Sequence, residues 1–195
     1  MPTIPTTVFL PIGIPGIGKS TLLKQQAGGA EIANVSRDEI RSEVNGGDAT
    51  FIPENEPKIT RLSYQRLRKA LRESRKRDGS KPKHIALDMT NINAWGRKDY
   101  LQIVQKFAET RPVVLKVFHF PNDVDLAMQR QQGRERQVDQ AIIEKYADKF
   151  QRFDTASETD TGKAKRLSVE VYDVAEDGTL RDAPKFSGQR LSLYA

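Results

Sequence analysis

Lys19 and Ser20 close the octapeptide Gly13-Ile-Pro-Gly-Ile-Gly-Lys-Ser20, which fits the spacing G-x-x-x-x-G-K-[ST] at every fixed position. That spacing suits the holding of a triphosphate. Glycines let the backbone curl until its N–H groups point inward, and a helix beginning there adds the positive end of its dipole. Lys19 is placed to reach the β and γ phosphates and Ser20 to hold Mg²⁺. Gly13, Pro15, Gly16, Ile17, Gly18, Lys19, Ser20 and Thr21 thus form the expected cradle for ATP and its Mg²⁺. The competing reading is a plain Gly/Pro turn ahead of a helix.

Three further clusters could act on what the cradle holds. Asn34-Val-Ser-Arg-Asp-Glu-Ile-Arg41 places Asp38 where a carboxylate could take the proton of an attacking hydroxyl. Arg41 follows one helical turn on and could hold an anion of the acceptor. A surface helix start would carry the same acids, because capping and the dipole favour them there. Asp88-Met-Thr-Asn91 puts Asp88 at a strand end, near Mg²⁺ or in a salt bridge that orients Arg41. In Arg130-Gln-Gln-Gly-Arg-Glu-Arg136, a guanidinium brought in by a closing lid could stabilise the transferring phosphoryl group. Arg134 is the first choice for that role and Arg136 the second, with Arg130 a contact to ATP; a solvated helix junction is the alternative.

These residues need elements to hold them, and strand and helix signals alternate along the chain as in a parallel α/β sheet. Strands are expected at Val8–Ile12, Glu31–Val35, His84–Met89, Val113–Phe120 and Ser168–Asp173. The first helix opens in the cradle and stops at Gly28-Gly29. Ser36 with Glu39 reads as a capping box for a helix through Val44, followed by a long loop to Pro57. Further helices are expected at about 58–76, 94–109, 124–131 and 138–153, then a polar loop at 154–163 and a hairpin turn at Glu176-Asp-Gly. On the helix from Lys58, Tyr64, Leu67 and Leu71 share one stripe, and Arg61, Arg68, Arg72 and Arg75 form a ridge beside it.

The 195 residues suit one domain, and there is no cysteine for a disulfide or a thiolate metal site. No apolar run could span a membrane and no signal-peptide pattern opens the chain, so the expected location is the cytoplasm. The net charge of +6 is concentrated between Lys58 and Lys83, where 11 Lys/Arg face two acids. Such a stretch fits a polyanionic partner, or a solvated helix face. No N-K-x-D motif follows the cradle, and Asp88 is followed by Met89 rather than the Glu expected of an oligomeric ATPase. The absences favour a phosphotransferase over a GTPase or a motor.

Together the motifs resemble the kinase domain of bacteriophage polynucleotide 5′-kinases, whose pattern runs G-x-P-G-S-G-K-S-T, N-x-N-R-D-D-x-R, D-x-T-N and an arginine-bearing lid. The likeness covers about residues 7–153. It implies an α/β P-loop NTPase sandwich with a central parallel sheet of about five strands, helices on both faces and a lid. It implies Lys19, Asp38 and Arg134 as catalytic, with Asp38 the general base, and Ser20 on the metal. Arg37, Asp38, Arg41, Asp88, Thr90 and Asn91 would line the acceptor, and Arg130, Arg134 and Arg136 the donor. The implied substrate is a 5′-OH end of RNA or DNA, with RNA repair as an expected setting. Ser36 and Glu39 depart from the pattern, and the lid aligns only with a one-residue gap.

The domain plan is a core at 7–153, a loop at 154–166, a strand and hairpin at 167–186 and a tail at 187–195. Asp173-Val-Ala-Glu-Asp-Gly-Thr-Leu180 is superficially similar to the phosphatase motif D-x-D-G-T-L, but two extra residues separate the aspartates. A strand and hairpin without phosphatase activity is expected there. Two other functions stay open: a kinase of a small hydroxyl acceptor (nucleoside, sugar, or nucleotide-sugar as in zeta-type toxins), and a nucleic-acid-binding ATPase.

Overall fold

Seven residues, Thr6–Ile12, make the central strand β1, buried almost throughout. A strand covered on both faces should read as a continuous apolar run rather than an alternation, and Val-Phe-Leu-Pro-Ile does. Pro11 is tolerated because of where its neighbour stops. The Phe9 carbonyl accepts from Leu87 N at 3.0 Å, so Phe9 and Pro11 turn their backbone groups to that same side. The paired ladder there ends at Ala86, and the Pro11 carbonyl takes the Asn91 side-chain amide at 2.9 Å instead. The missing N–H of Pro11 therefore breaks no ladder bond.

The computed structural model describes residues 5–74, 84–133, 137–160 and 162–182. Around β1 the other strands are β2 (Ile32–Asn34), β3 (His84–Ala86), β4 (Val113–His119), β5 (Leu167–Val174) and β6 (Leu180–Asp182). The sheet order is β2-β3-β1-β4-β5-β6, five strands parallel and β6 antiparallel on β5. The expected sheet of about five parallel strands gains one antiparallel edge from the hairpin at Ala175–Thr179. The chain leaves β1 toward β2 and later crosses to β4, so the strand order reverses at β1. Ligands in such sheets sit outside the carboxyl ends of the strands at that reversal.

Helices cover both faces. α1 (Lys19–Gln26), α5 (Val124–Gln131) and α6 (Gln140–Ala147) pack one side with Leu22, Leu23, Ala127 and Ile143 against Phe9, Phe118 and Phe120. On the other side, α3 (Glu56–Glu73) and α4 (Ala94–Ala108) contribute Leu67, Leu71, Tyr100, Leu101 and Val104 to a core with Val8, Leu10, Leu115 and Val117. The short α2 (Arg37–Val44) leads from β2 toward α3, and α7 (Thr155–Glu158) is a single turn. Tyr64 on α3 is half-buried and bonds Asp99 of α4 at 2.7 Å, while Arg61, Arg68 and Arg72 are exposed; Arg75 lies outside the described residues.

Several boundaries differ from the sequence reading: β3 ends at Ala86 rather than Met89, and three helical segments shift for local reasons. α3 starts at Glu56, ahead of Lys58, because Pro57 falls in the first turn, where no N–H is required. The helix expected over 138–153 covers Gln140–Ala147 only. Beyond it, Gln151 N is drawn to the Ile92 carbonyl at 2.6 Å and Phe153 N to His119 Nε2 at 2.9 Å. The expected loop at 154–163 contains α7, capped by Asp154 and held through Glu158.

Candidate active site

The loop from β1 to α1 is shaped by two glycines in left-handed conformations, Gly16 at φ 84° and Gly18 at φ 101°. A Cβ on Gly16 would lie 2.9 Å from the Ala127 carbonyl oxygen, so a side chain there is excluded by space as well as by backbone conformation. Ile14 and Ile17 are buried and pin the loop from below, and Gly13 N donates to the Thr90 carbonyl at 3.0 Å. Lys19 folds back to donate to the Ile14 carbonyl at 2.8 Å. Arg130, at the end of α5, donates to the Ile17 carbonyl in the same loop and to the Glu176 carbonyl of the β5–β6 hairpin.

Ser20, one residue into α1, donates to Asp88 Oδ2 at 3.0 Å and is 3.3 Å from Oδ1. A hydroxyl and a carboxylate joined beside an amide cradle are oxygen donors of the kind Mg²⁺ takes. The loop therefore fits a Mg²⁺-triphosphate: Gly13–Ser20 and Lys19 would hold the phosphates, with Ser20 and Asp88 at the metal.

Asp88 does not orient Arg41, as one reading of the sequence had it. That task falls to Glu56, the first residue of α3. Arg41 Nε donates to Glu56 Oε1 at 2.6 Å, and Arg37 donates to Glu56 Oε2 and, at 3.0 Å, to Thr60 Oγ1. Arg41 also pairs with Asp38. Arg41 and Glu56 side chains are each only 16% exposed, whereas Asp38 is 70% exposed and directed to solvent. Burial alone would raise the Glu56 carboxyl, but the hydrogen bonds from Arg41 and Arg37 outweigh it and hold it below the usual range. The sequence does not single out Glu56, which sits with Glu54 at the end of the long loop. Its signal is the acid directly before Pro57 at a helix start.

Local structure explains the placement of Asp38. Ser36 caps α2, its hydroxyl accepting from Glu39 N at 3.3 Å, and the Glu39 side chain accepts from Asn34 Nδ2 at 2.9 Å. The expected capping box is thus closed through Asn34. Asp38 is left in the first turn of α2, near the carboxyl edge of the sheet. β2 lies two strand spacings, roughly 10 Å, from β1, with β3 and its Asp88 between them.

Thr90 and Asn91 are used structurally. The Thr90 carbonyl anchors Gly13, and Asn91, at φ 50°, spends its amide on the carbonyls of Pro11 (2.9 Å), Leu87 (2.9 Å) and Met89 (3.2 Å). Behind them lies a residue that the sequence did not single out. Arg97 is fully buried on α4, donating to the carbonyls of Asn91 (2.7 Å) and Gln151 (3.0 Å) and doubly to Glu158, with Nε to Oε2 at 2.7 Å. Arg134 and Arg136 lie outside the described residues.

Comparison with known proteins places this geometry. Residues 8–153 match the family model AAA_33, described as an AAA domain. No curated protein matches. Among solved structures, a fungal RNA kinase matches at 17% identity and TM-score 0.53, over 89% of this chain and 39% of that one. A gluconokinase from Sinorhizobium meliloti 1021 matches at 11% identity and TM-score 0.46, over 87% and 83% of the two chains. A shikimate kinase from Bacteroides thetaiotaomicron matches at 12% identity and TM-score 0.43, over 86% of each. At its identity the fungal RNA kinase shares the fold alone; the family match and the sheet order give an α/β P-loop kinase architecture with a mostly parallel sheet.

Proposed function

We propose, for a chain that belongs to the AAA_33 family of P-loop kinases, that it is an ATP-dependent 5′-hydroxyl polynucleotide kinase. Kinase-type phosphoryl transfer is the chemistry of the family; the acceptor is our reading. One observation carries it: an exposed carboxylate, Asp38, shares one short helix with Arg37 and Arg41, both fixed by Glu56, across the sheet edge from the triphosphate cradle. That pairs a base for a hydroxyl with guanidinium groups suited to a nearby phosphate.

Asp38 accepts the proton of the 5′-OH as the hydroxyl oxygen attacks the γ phosphorus in line, while the bond to the β–γ bridging oxygen breaks and ADP leaves. Arg41, held by Glu56, positions the acceptor's neighbouring phosphate so that the hydroxyl stays beside Asp38. Lys19 exchanges the Ile14 carbonyl for the β and γ phosphates, and the amides of the cradle hold the charge in place. Mg²⁺, when bound at Ser20 and Asp88, neutralises charge on the phosphate oxygens. Arg130 is tied to the loop and extends its cationic edge, and we assign lid closure over the donor to Arg134, with Arg136 as the alternate.

The test is a panel of 5′-OH RNA, 5′-OH DNA, nucleosides and sugars incubated with γ-labelled ATP. The proposal expects label on the strands. Label confined to the small molecules would replace it with a small-acceptor kinase, since Asp38 could serve any hydroxyl. Release of phosphate alone would indicate an ATPase.

A further inference from the structure

Of the large apolar side chains exposed among the described residues (Phe51, Trp95 and Ile142), Trp95 is the most exposed, at 87%. It is also the single tryptophan of the chain. Trp95 stands in the first turn of α4, four residues after Asn91. An indole left in water at a strand's carboxyl edge is a ready platform for a planar partner.

Trp95 stands on the rim of a groove of mixed charge between α4 and α7, lined among others by Lys98, Lys163, Glu158 and Asp160, and the cationic ridge lies on the neighbouring α3. The Tyr64–Asp99 bond of 2.7 Å and the Ser63–Tyr100 bond of 2.7 Å fix the register between α3 and α4. With Tyr64 opposite Asp99, Arg61 comes level with the first turn of α4, where Trp95 sits. Arg68 and Arg72 lie further along, lining a groove of about 770 Å³ with Asp99, Gln102 and Lys106. From Arg61 to Arg72 the ridge runs about 16 Å along the helix axis. No carboxylate among the described residues pairs with Arg61, Arg68, Arg72 or Lys98, whereas Arg37, Arg41, Arg66 and Arg97 are all paired. In the groove itself, Asp99 is occupied by Tyr64 and Glu109 by Lys106. At the other end of α3, Glu56 holds the acceptor-side arginines.

Resting on the polynucleotide reading above, we propose that the α3–α4 face is the track of the acceptor strand beyond its 5′ end. Trp95 stacks on a base near the reacting terminus. Arg61, Arg68 and Arg72 then pair with phosphates in turn, leading the single strand away from Asp38 along the groove. Aromatic stacking flanked by a cationic track is how single strands are held without sequence preference.

Because Trp95 is alone, its fluorescence reports on this face and nothing else. The experiment titrates the protein with a roughly 12-nucleotide single strand bearing a 5′-OH, a length within the usual range for one binding site, and follows indole emission beside anisotropy of a 3′ dye. Quenching should track binding and be lost with an abasic strand of equal length. Trp95→Ala should raise KM for the strand about tenfold, Trp95→Phe should restore most of it, and with an abasic strand wild type and Trp95→Ala should have the same KM. Arg68→Ala with Arg72→Ala should weaken the long strand alone.

Binding with unchanged emission, equal KM for the intact strand in Trp95→Ala, or the same quenching by poly-glutamate would overturn the proposal while leaving polynucleotide kinase activity standing. Label transfer to small molecules only would remove both readings together. Matching thermal unfolding of the variants shows that none of these outcomes is a folding defect.

Discussion

In the proposed mechanism, Asp38 and Glu56 divide one task between an exposed carboxylate and a half-buried one. Removing the first should stop chemistry and spare the donor. Asp38→Ala is expected to lower kcat by roughly 10²–10⁴ with ATP affinity unchanged, as single-turnover kinetics and nucleotide titration would report. Removing the second should misplace the acceptor. Glu56→Gln frees Arg37 and Arg41, so KM for a strand should rise more than kcat falls. Because the Glu56 carboxyl lies below its ordinary value in the folded protein, the stability it contributes is present above that value and is lost as pH falls through the depressed one. Glu56→Gln should therefore flatten the acid limb of a stability profile measured by urea unfolding. Of these residues Arg37, Asp38 and Arg41 were legible in the sequence and Glu56 was not. The spacing of Asp38 from Ser36 and Arg41 is local, whereas Glu56 acts across 15 residues, and sequence patterns do not register such a contact.

β1 to β5 and α1 to α4 were legible because each carries its own signal, such as the apolar run of β1, the cap at Ser36 and the stripe of α3. What escaped were segments whose conformation is set from elsewhere. Residues 148–160 read as helix and loop, yet they are gathered onto Arg97, whose guanidinium bonds the carbonyls of Asn91 and Gln151 and the carboxylate of Glu158. A buried arginine stripped of its partner is expensive. Glu158→Ala should destabilise the fold by about 3–5 kcal/mol, measured by urea unfolding. Arg97→Met with Glu158→Leu should recover much of that loss, since an apolar pair leaves no buried charge. The cradle is as constrained: Gly16→Ala must adopt a positive φ against the Ala127 carbonyl, costing about 1–3 kcal/mol, with loss of nucleotide binding in a titration.

At the scale of the whole molecule, the proposed reading gives the two faces of the sheet different partners: α1 and α5 edge the donor loop, and α3 and α4 carry the basic ridge. Charge sets how the second face responds to salt. If Arg61, Arg68 and Arg72 each neutralise one phosphate, log affinity for a single strand should fall with log salt at a slope of about −2, and Arg68→Ala with Arg72→Ala should lower that slope by about 1.4. A further acid response comes from His119, the buried last residue of β4, paired in register with Asp173 of β5. Burial first, then Arg152, push its pKa down to about 4, with Asp173 acting against them. The unfolded chain protonates first, so stability should be full above about 6.5 and decline as pH falls from there toward about 4. The overall α/β plan follows from the alternation of elements, but the antiparallel β6 depends on the β5–β6 turn, where Asp177 accepts from Thr179 N at 2.9 Å.

The central claim is that a 5′-hydroxyl of a polynucleotide receives the γ phosphate under the control of Asp38. It is tested most directly by one label-transfer measurement on two strands of identical sequence, one ending in 5′-OH and one in 5′-phosphate, with the wild-type protein and Asp38→Asn. The account predicts that label from γ-labelled ATP enters only the 5′-OH strand, maps to its 5′ terminus, and is lost in the variant although ATP still binds. Equal labelling of both strands, or undiminished labelling by Asp38→Asn, would contradict it.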